Sequence, residues 1–390
     1  MKTKITILAL MLLCVSIQGQ QKTVAEPISL EIGNRYKMQS SILNEERSLL
    51  IHLPSNYESS EKKYSVIYVL DGDNHFQHAT NAVTLLSENE IIPELIIVAI
   101  PNNQGTRGRD LGRARDKFKQ YIKDEVIPFV ENNYRTTNHK TIFGHSMAGA
   151  FVLNYLATES SLFDNYIAAS PVIQIFDSEL LGKFNELFKA EKALNKSLYF
   201  TLTDKVAEGE RATDALNTFV EILKNEAPKT LDWKYNFIED QIHMTTPYLT
   251  MYEGLSKVFA DYRSLRFSSY EDYKNRGGMN ALKTYYSNRA DKYQISKEIP
   301  NRTLRRVAYV LLDNGKTDMA INLFQENVKN NPQSAIAHKA LGDAYEANND
   351  NKSALEAHQT AVSLSKKQAS PDTDYFSRQL KRIQEKLETN

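Results

Sequence analysis

Cysteine is almost absent from this chain. Its 390 residues include one, Cys14, and that one lies in an N-terminal apolar run, so a chain processed beyond the run can hold no internal disulfide. A chain of this length can build a core large enough to do without such staples. Charge of one sign is also lacking: 48 basic side chains balance 48 acidic ones. That balance removes the electrostatic footprint expected of a partner to nucleic acid or to an anionic membrane surface. Apart from residues 5–17, no apolar run approaches the length of a membrane span. Tryptophan occurs once, as Trp233, inside a strand-like segment where a place in the core is expected.

What remains is an ordinary globular composition, 41% apolar and 25% charged, over a length that suits about two domains. The first residues, Met1-Lys2-Thr3-Lys4, precede the apolar run, and Gln18-Gly19 follow it. A basic start, a short apolar middle and a small residue at the end make a secretory signal peptide over 1–19. Bulky Leu13 before Cys14 speaks against a lipid anchor there. The expectation is a soluble protein exported across the inner membrane to the periplasm.

Strand and helix patterns then alternate. Residues 28–42 and 47–53 read as extended. Residues 64–70 and 94–100 are continuous apolar and aromatic runs, as in buried strands. Further strand patterns cover 141–145, 163–169, 197–203 and 231–238. Between them lie amphipathic stretches, one marked by Phe76, Ala79, Val83 and Leu86, another by Phe118, Tyr121, Ile122 and Val126, with Pro128 expected to kink the end of the latter. Residues 104–115, rich in Gly and Arg, read as a loop. Alternation of this kind implies an α/β fold, a mostly parallel sheet with helices on both faces. Ligand sites in such sheets lie beyond the carboxyl ends of the strands.

One junction stands out: Thr141-Ile-Phe-Gly144-His145-Ser146-Met147-Ala148-Gly149. A strand runs into a turn of small residues around a serine and on into an apolar helix. This is the pattern of a nucleophile elbow, in which a tight turn strains the serine and lifts its hydroxyl above the sheet. The alternative is a plain turn whose serine caps the helix. A serine nucleophile needs a base within hydrogen-bond reach, and the histidines after Ser146 are His243, His338 and His358. The last two fall in a helical repeat region, which leaves His243, in a loop just after the last strand. His145 is too close along the backbone to serve Ser146 and should pack beneath the turn. An acid that orients the base should follow the strand ending near Thr203; Asp204, Glu208 and Glu210 are the candidates, with Glu239 and Asp240 held in reserve. The oxyanion donors expected are the backbone N–H of Met147 and that of Asp73, in the turn Asp71-Gly72-Asp73-Asn74. Arg107 and Arg109 could grip an acidic or phenolic part of a substrate, or be satisfied as surface charges. His75 and His78 either line the site or sit on a helix surface.

Beyond about residue 261 helices continue without strands. Residues 301–333 and 335–367 superpose at a spacing of 34, aligning Ala320 with Ala354 and Phe324 with His358. Leu341-Gly342, Tyr345 and Pro332 sit where a tetratricopeptide unit would have them. The alternative is a plain helical bundle. The division expected is a signal peptide over 1–19, an α/β domain over 20–263, a linker or helical segment over 264–300, and tetratricopeptide-like repeats over 301–390. The repeats would serve for docking a protein partner, for self-association, or as a lid over the site.

With these residues in place, positions 28–263 resemble the esterase D and enterochelin-esterase-like branch of the α/β-hydrolases. The resemblance rests on Tyr68-Val-Leu-Asp71-Gly72, Arg109-Asp110-Leu111, Gly144-His-Ser146-Met-Ala-Gly149, and His243 followed by Tyr252-Glu-Gly254-Leu255. It implies hydrolysis of a carboxylic ester, of siderophore, carbohydrate or aryl acyl type, with no metal or cofactor. It also favours Glu208, in Glu208-Gly209-Glu210, as the orienting acid, although some siderophore esterases of this type work with Ser and His alone. Transfer of the acyl group to a sugar or lipid hydroxyl is the other enzymatic reading. A hydrolase-like binding module working through its repeats is the non-enzymatic one.

Overall fold

The computed structural model describes Glu26 and residues 28–389; the leader expected over 1–19 lies outside the described residues. Contacts separate a unit ending at Ile32 from one beginning at Gly33. The described residues of the first are irregular, and everything below concerns the second.

Among the described residues, eight strands form one sheet in the order β1-β2-β4-β3-β5-β6-β7-β8. They are β1 (Asn34–Ser40), β2 (Glu45–His52), β3 (Tyr64–Leu70), β4 (Leu95–Ile100), β5 (Thr136–His145), β6 (Asn165–Ala169), β7 (Ser197–Leu202) and β8 (Asp232–Phe237). The first two run antiparallel, and β3 to β8 are parallel throughout. Every residue of β3, β4 and β6 is buried, which is why these strands read as unbroken apolar runs rather than as alternating ones.

The helices of the α/β region are α1 (Gly72–Glu88), α2 (Arg115–Tyr121), α3 (Ile127–Asn133), α4 (Met147–Thr158), α5 (Asp177–Ala190), α6 (Lys205–Glu208), α7 (Glu210–Glu226) and α8 (Thr246–Val258). They cover both faces. On one, Phe151 and Leu153 of α4 join Tyr68, Ile142, Tyr166 and Phe200 in the main core. On the other, α8 lies so close that a methyl group on Gly254 would stand 2.6 Å from Ile167, and α1 packs beside it. Several details depart from the sequence reading, among them the start of β5, which reaches back to Thr136 rather than 141. Pro128 does not kink the end of a helix. It sits in the first turn of α3, where its missing N–H costs no hydrogen bond, and a widened turn, Ile122–Val126, separates α3 from α2. Residues 104–115 are not an open loop. They include a helical turn, Arg109–Arg113, fastened to β2 by buried Arg47, which reaches Asp110 at 2.7 Å and the carbonyl of Pro101 at 3.0 Å.

After the α/β region come α9 (Tyr270–Asn275), α10 (Gly278–Tyr293), α11 (Asn301–Asp313), α12 (Thr317–Asn330), α13 (Ala335–Ala347), α14 (Asn351–Lys367) and α15 (Thr373–Glu388). From α11 onward they form an all-helical region in which α13 begins 34 residues after α11, and α14 34 after α12. Gly342 is required within it, since a Cβ there would lie 2.8 Å from the ring of buried His358.

The junction is anchored at the amino ends of the strands. Tyr293 packs its ring 4.9 Å from His139 and 5.7 Å from Phe259, and the N–H of Asn138 donates to Gln294 at 3.1 Å. Arg289 lies 4.3 Å over both Tyr262 and Tyr286. His139 stands near the start of β5 and Ser146 just past its end; seven residues of strand put roughly 23 Å between them. Further along, Arg306 of α11 meets Glu90 beyond the last turn of α1. The helical region is therefore not a lid over the serine.

Candidate active site

The turn after β5 takes its shape from two glycines. A Cβ on Gly144 would fall 2.3 Å from the carbonyl oxygen of Ala148, and one on Gly149 would fall 3.1 Å from both the carbonyl of Ala169 and Cα of Pro171. The strand therefore grazes its own helix at 144, and the helix grazes the end of β6 at 149. Ala148 fits because the second close approach falls one residue later. Between them Ser146 holds φ 62°, ψ −121°, a strained backbone for a residue with a side chain. Its N–H donates to Ala169 at 2.9 Å. Its hydroxyl makes no cap hydrogen bond to α4, so the capping reading does not describe it.

His243 stands beside this turn. His145 donates from Nε2 to the carbonyl of His243 at 2.9 Å, and the two rings lie 4.7 Å apart. Nδ1 of His243 meets Oε2 of Glu208 at 2.6 Å. Of the three acids considered, Glu208 is the one at the histidine. Asp204 instead caps α6, accepting from the N–H groups of Val206 and Ala207 at 2.8 and 3.0 Å, and Glu210 pairs with Lys205 at the surface. The Glu208 side chain is 1% exposed. Burial pushes its pKa up, but the hydrogen bonds from His243 and Ser170 outweigh that, and the net shift is downward. The carboxylate stays ionised and accepts a hydrogen bond from Nδ1–H, which leaves the Nε2 lone pair free.

Two residues here were not foreseen as part of the site. Ser170, buried and strained at φ 40°, donates to the other carboxylate oxygen of Glu208 at 2.6 Å and meets Thr246 at 2.8 Å. Thr246, the first residue of α8, also bonds the carbonyl of His243 at 3.1 Å. Their one signal was position, since Ser170 follows the carboxyl end of β6.

The expected oxyanion donors lie at two helix starts. Met147 is the first residue of α4 and Asp73 the second of α1, where backbone N–H groups lack helical partners and the dipole favours negative charge. β3 and β5, which lead into these helices, are paired neighbours. The Asp73 side chain is turned to Arg35 at 3.0 Å.

The three residues expected to bind substrate are otherwise engaged. Arg109 is held by Glu45 at 2.7 Å and Asp110 at 2.7 Å. Arg107 grips buried Asp71 through two bonds of 2.8 Å, with the carbonyl of His145 at 3.4 Å. Asp71 is the residue before α1, at φ 52°, and Asn102 bonds it too. His75 is buried: its Nδ1 meets Nε2 of His78 at 2.9 Å, and its ring lies 5.7 Å from that of His145. Burial first, and then the neighbouring imidazoles, lower the pKa of His75 to about 3 and those of His78 and His145 to about 4. All three are neutral at pH 7. The rim is apolar: Ile242, Met244 and Tyr248 flank His243 with most of their surface in solvent, as does Val206 near Glu208. Tyr248 is steadied by His78, ring centres 4.4 Å apart.

A family model described as a putative esterase matches residues 40–238. An uncharacterized Bacillus subtilis protein is 32% identical over 147 residues, 35% of this chain and 60% of its own length. The ferri-bacillibactin esterase of Bacillus subtilis is 29% identical over 202 residues, 44% of this chain and 69% of that one. In structure, an IroE-like serine hydrolase from Shewanella oneidensis aligns with a TM-score of 0.59 at 23% identity, over 75% of this chain and 99% of its own.

Proposed function

The chain belongs to the putative-esterase family of α/β-hydrolases, and from that premise we propose that it is a serine esterase with Ser146 as nucleophile, His243 as general base and then acid, and Glu208 as the acid that orients it. The observation that carries this is the bond of 2.6 Å between Glu208 and His243 beside the elbow. His243 takes the Ser146 proton through Nε2 as the hydroxyl attacks the ester carbonyl. The tetrahedral oxyanion is met by the N–H groups of Met147 and Asp73. The imidazolium, steadied by Glu208, gives its proton to the departing alcohol. Water then enters, loses a proton to His243 and attacks the acyl carbon; the acyl–oxygen bond breaks, and His243 returns the proton to Ser146 as the acid leaves.

The apolar rim suits an ester with a sizeable apolar or aromatic part, and the similarity to a ferri-bacillibactin esterase puts siderophore-type esters first among substrates to try, ahead of carbohydrate and aryl acyl esters. Export to the periplasm rests on the leader pattern of residues 1–19. The helical region, read as tetratricopeptide-like, would serve a protein partner or self-association. The test of the chemistry is p-nitrophenyl acetate turnover and labelling by a fluorophosphonate probe. Ser146→Ala should lose both, with a rate lower by several orders of magnitude; equal rates would end the reading.

A further inference from the structure

A cavity lies apart from the elbow, on the face of the sheet that carries α8. Its volume is about 820 Å³, within the size range of small-molecule sites. β7, β8 and the second half of α8 wall one side; the junction over 260–266 and Arg306 of α11 wall the other. In a chain with no net charge, this lining is strongly basic: Lys234, Lys257, Arg263, Arg266 and Arg306 face two carboxylates, Glu90 and Glu253.

The two carboxylates offset only part of the five positive charges. Glu253 is occupied by the hydroxyl of Tyr199 and the amide of Asn236. Glu90 accepts from Ser264 at 2.9 Å and meets Arg306 only at 3.7 Å. Lys257 is paired with Asp232 outside the lining. Arg263 donates to one backbone carbonyl, that of Ser256. The side chains of Lys234 and Arg266 have no hydrogen bond or ion pair with the chain among the described residues. Burial, and then the guanidinium of Arg302, lower the pKa of Arg306; Glu90 opposes this, and Arg266 and Arg305 add to the lowering, so the net shift is downward. Like charges thus stand around one open cavity, with Lys234, Arg263 and Arg266 exposed at its sides and Arg306 half-buried, and a ligand of opposite charge would relieve their repulsion.

We propose that this cavity binds a small multivalent oxyanion, a ligand bearing phosphate or carboxylate groups, between Lys234 on the sheet and Arg263, Arg266 and Arg306 on the junction and α11. Guanidinium forks match the paired oxygens of both groups. Because the cations come from the α/β region and from the helical region, the ligand ties one to the other.

The test uses the full chain at constant ionic strength, with calorimetric titration and thermal melting in sodium pyrophosphate and, separately, in sodium citrate. Saturable binding of either is expected, with a melting temperature that climbs with ligand concentration. The better of the two tells phosphate from carboxylate recognition. Lys234→Gln and Arg266→Gln, which remove no hydrogen bond or ion pair among the described residues, should each weaken binding by about tenfold or more, while p-nitrophenyl acetate turnover without ligand stays at the parent rate. Absence of saturable binding with both anions, or unchanged affinity in the two variants, would overturn the proposal.

Discussion

Replacing Glu208 by Gln tests the orienting acid with the least disturbance. The amide has the shape of the carboxylate, and the side chain it replaces is 1% exposed, so water cannot take over its work. Ser170 can turn its hydroxyl toward Thr246, already 2.8 Å away, and accept from the new amide, so the fold should hold. What is lost is a full negative charge 2.6 Å from Nδ1. If the amide nitrogen faces the ring, it also forces the proton onto Nε2, the tautomer that cannot accept from serine. Loss of the acid in a serine–histidine–acid site lowers kcat by about 10⁴. At 1.36 kcal/mol per tenfold, that is about 5 kcal/mol of barrier. The assay is kcat for p-nitrophenyl acetate near pH 7.5, beside Asp204→Asn and Glu210→Gln as controls. Asp204 works as a helix cap and Glu210 as a surface partner, so both controls should keep the parent rate. A Glu208→Gln rate within about threefold of the parent would refute the reasoning and leave a serine–histidine dyad.

Gly144→Ala should destabilise the fold by about 3 kcal/mol in urea denaturation, because its methyl would stand 2.3 Å from the Ala148 carbonyl; a neutral result would mean the elbow is looser than drawn. His75, His78 and His145 protonate in the fold at about 3, 4 and 4, below an unfolded value near 6.5, so their contribution is complete above pH 6.5 and is lost as pH falls toward 4. Each adds up to about 1.4 kcal/mol per pH unit to that slope, and His78→Gln should flatten the curve of denaturation midpoint against pH. Arg107→Lys keeps the charge but loses the two-point grip on Asp71. It should lower kcat by about tenfold, since it loosens the turn that carries Asp73.

The sheet was legible because it is buried. Strands such as β3 and β4 lie between helix layers, so their apolar runs are continuous, and their ends fell within a residue or two of the expected ones. The elbow was legible because its causes are local: Gly144, Ser146 and Gly149 sit within six residues, and their close contacts are made by that turn and the next strand end. That Arg107 and Arg109 could be satisfied by carboxylates was legible, and Asp110 beside Arg109 is one such partner; the distant partners were not. Asp71 lies 36 positions before Arg107, and Glu45 64 before Arg109. No periodicity reports a contact over such spans, and an arginine satisfied by a distant carboxylate looks in sequence like one awaiting a ligand. The same holds for Ser170, whose partner Glu208 is 38 positions away.

The helical region meets the sheet at the amino ends of its strands, so any influence on the chemistry must pass through an element that spans both ends. α8 is such an element. Its first residue, Thr246, bonds the carbonyl of His243 and the hydroxyl of Ser170. Its second half lines the basic cavity beside Arg263 and Arg306. The middle of the helix cannot slide freely, because Gly254 is pressed against Ile167 and Tyr199 with no room for a methyl group. A ligand in the cavity would therefore act on His243 by stiffening α8 rather than by shifting it. Stiffening that leaves the catalytic geometry unchanged raises stability more than rate. An anion should accordingly raise the melting temperature while kcat stays within about twofold of its ligand-free value.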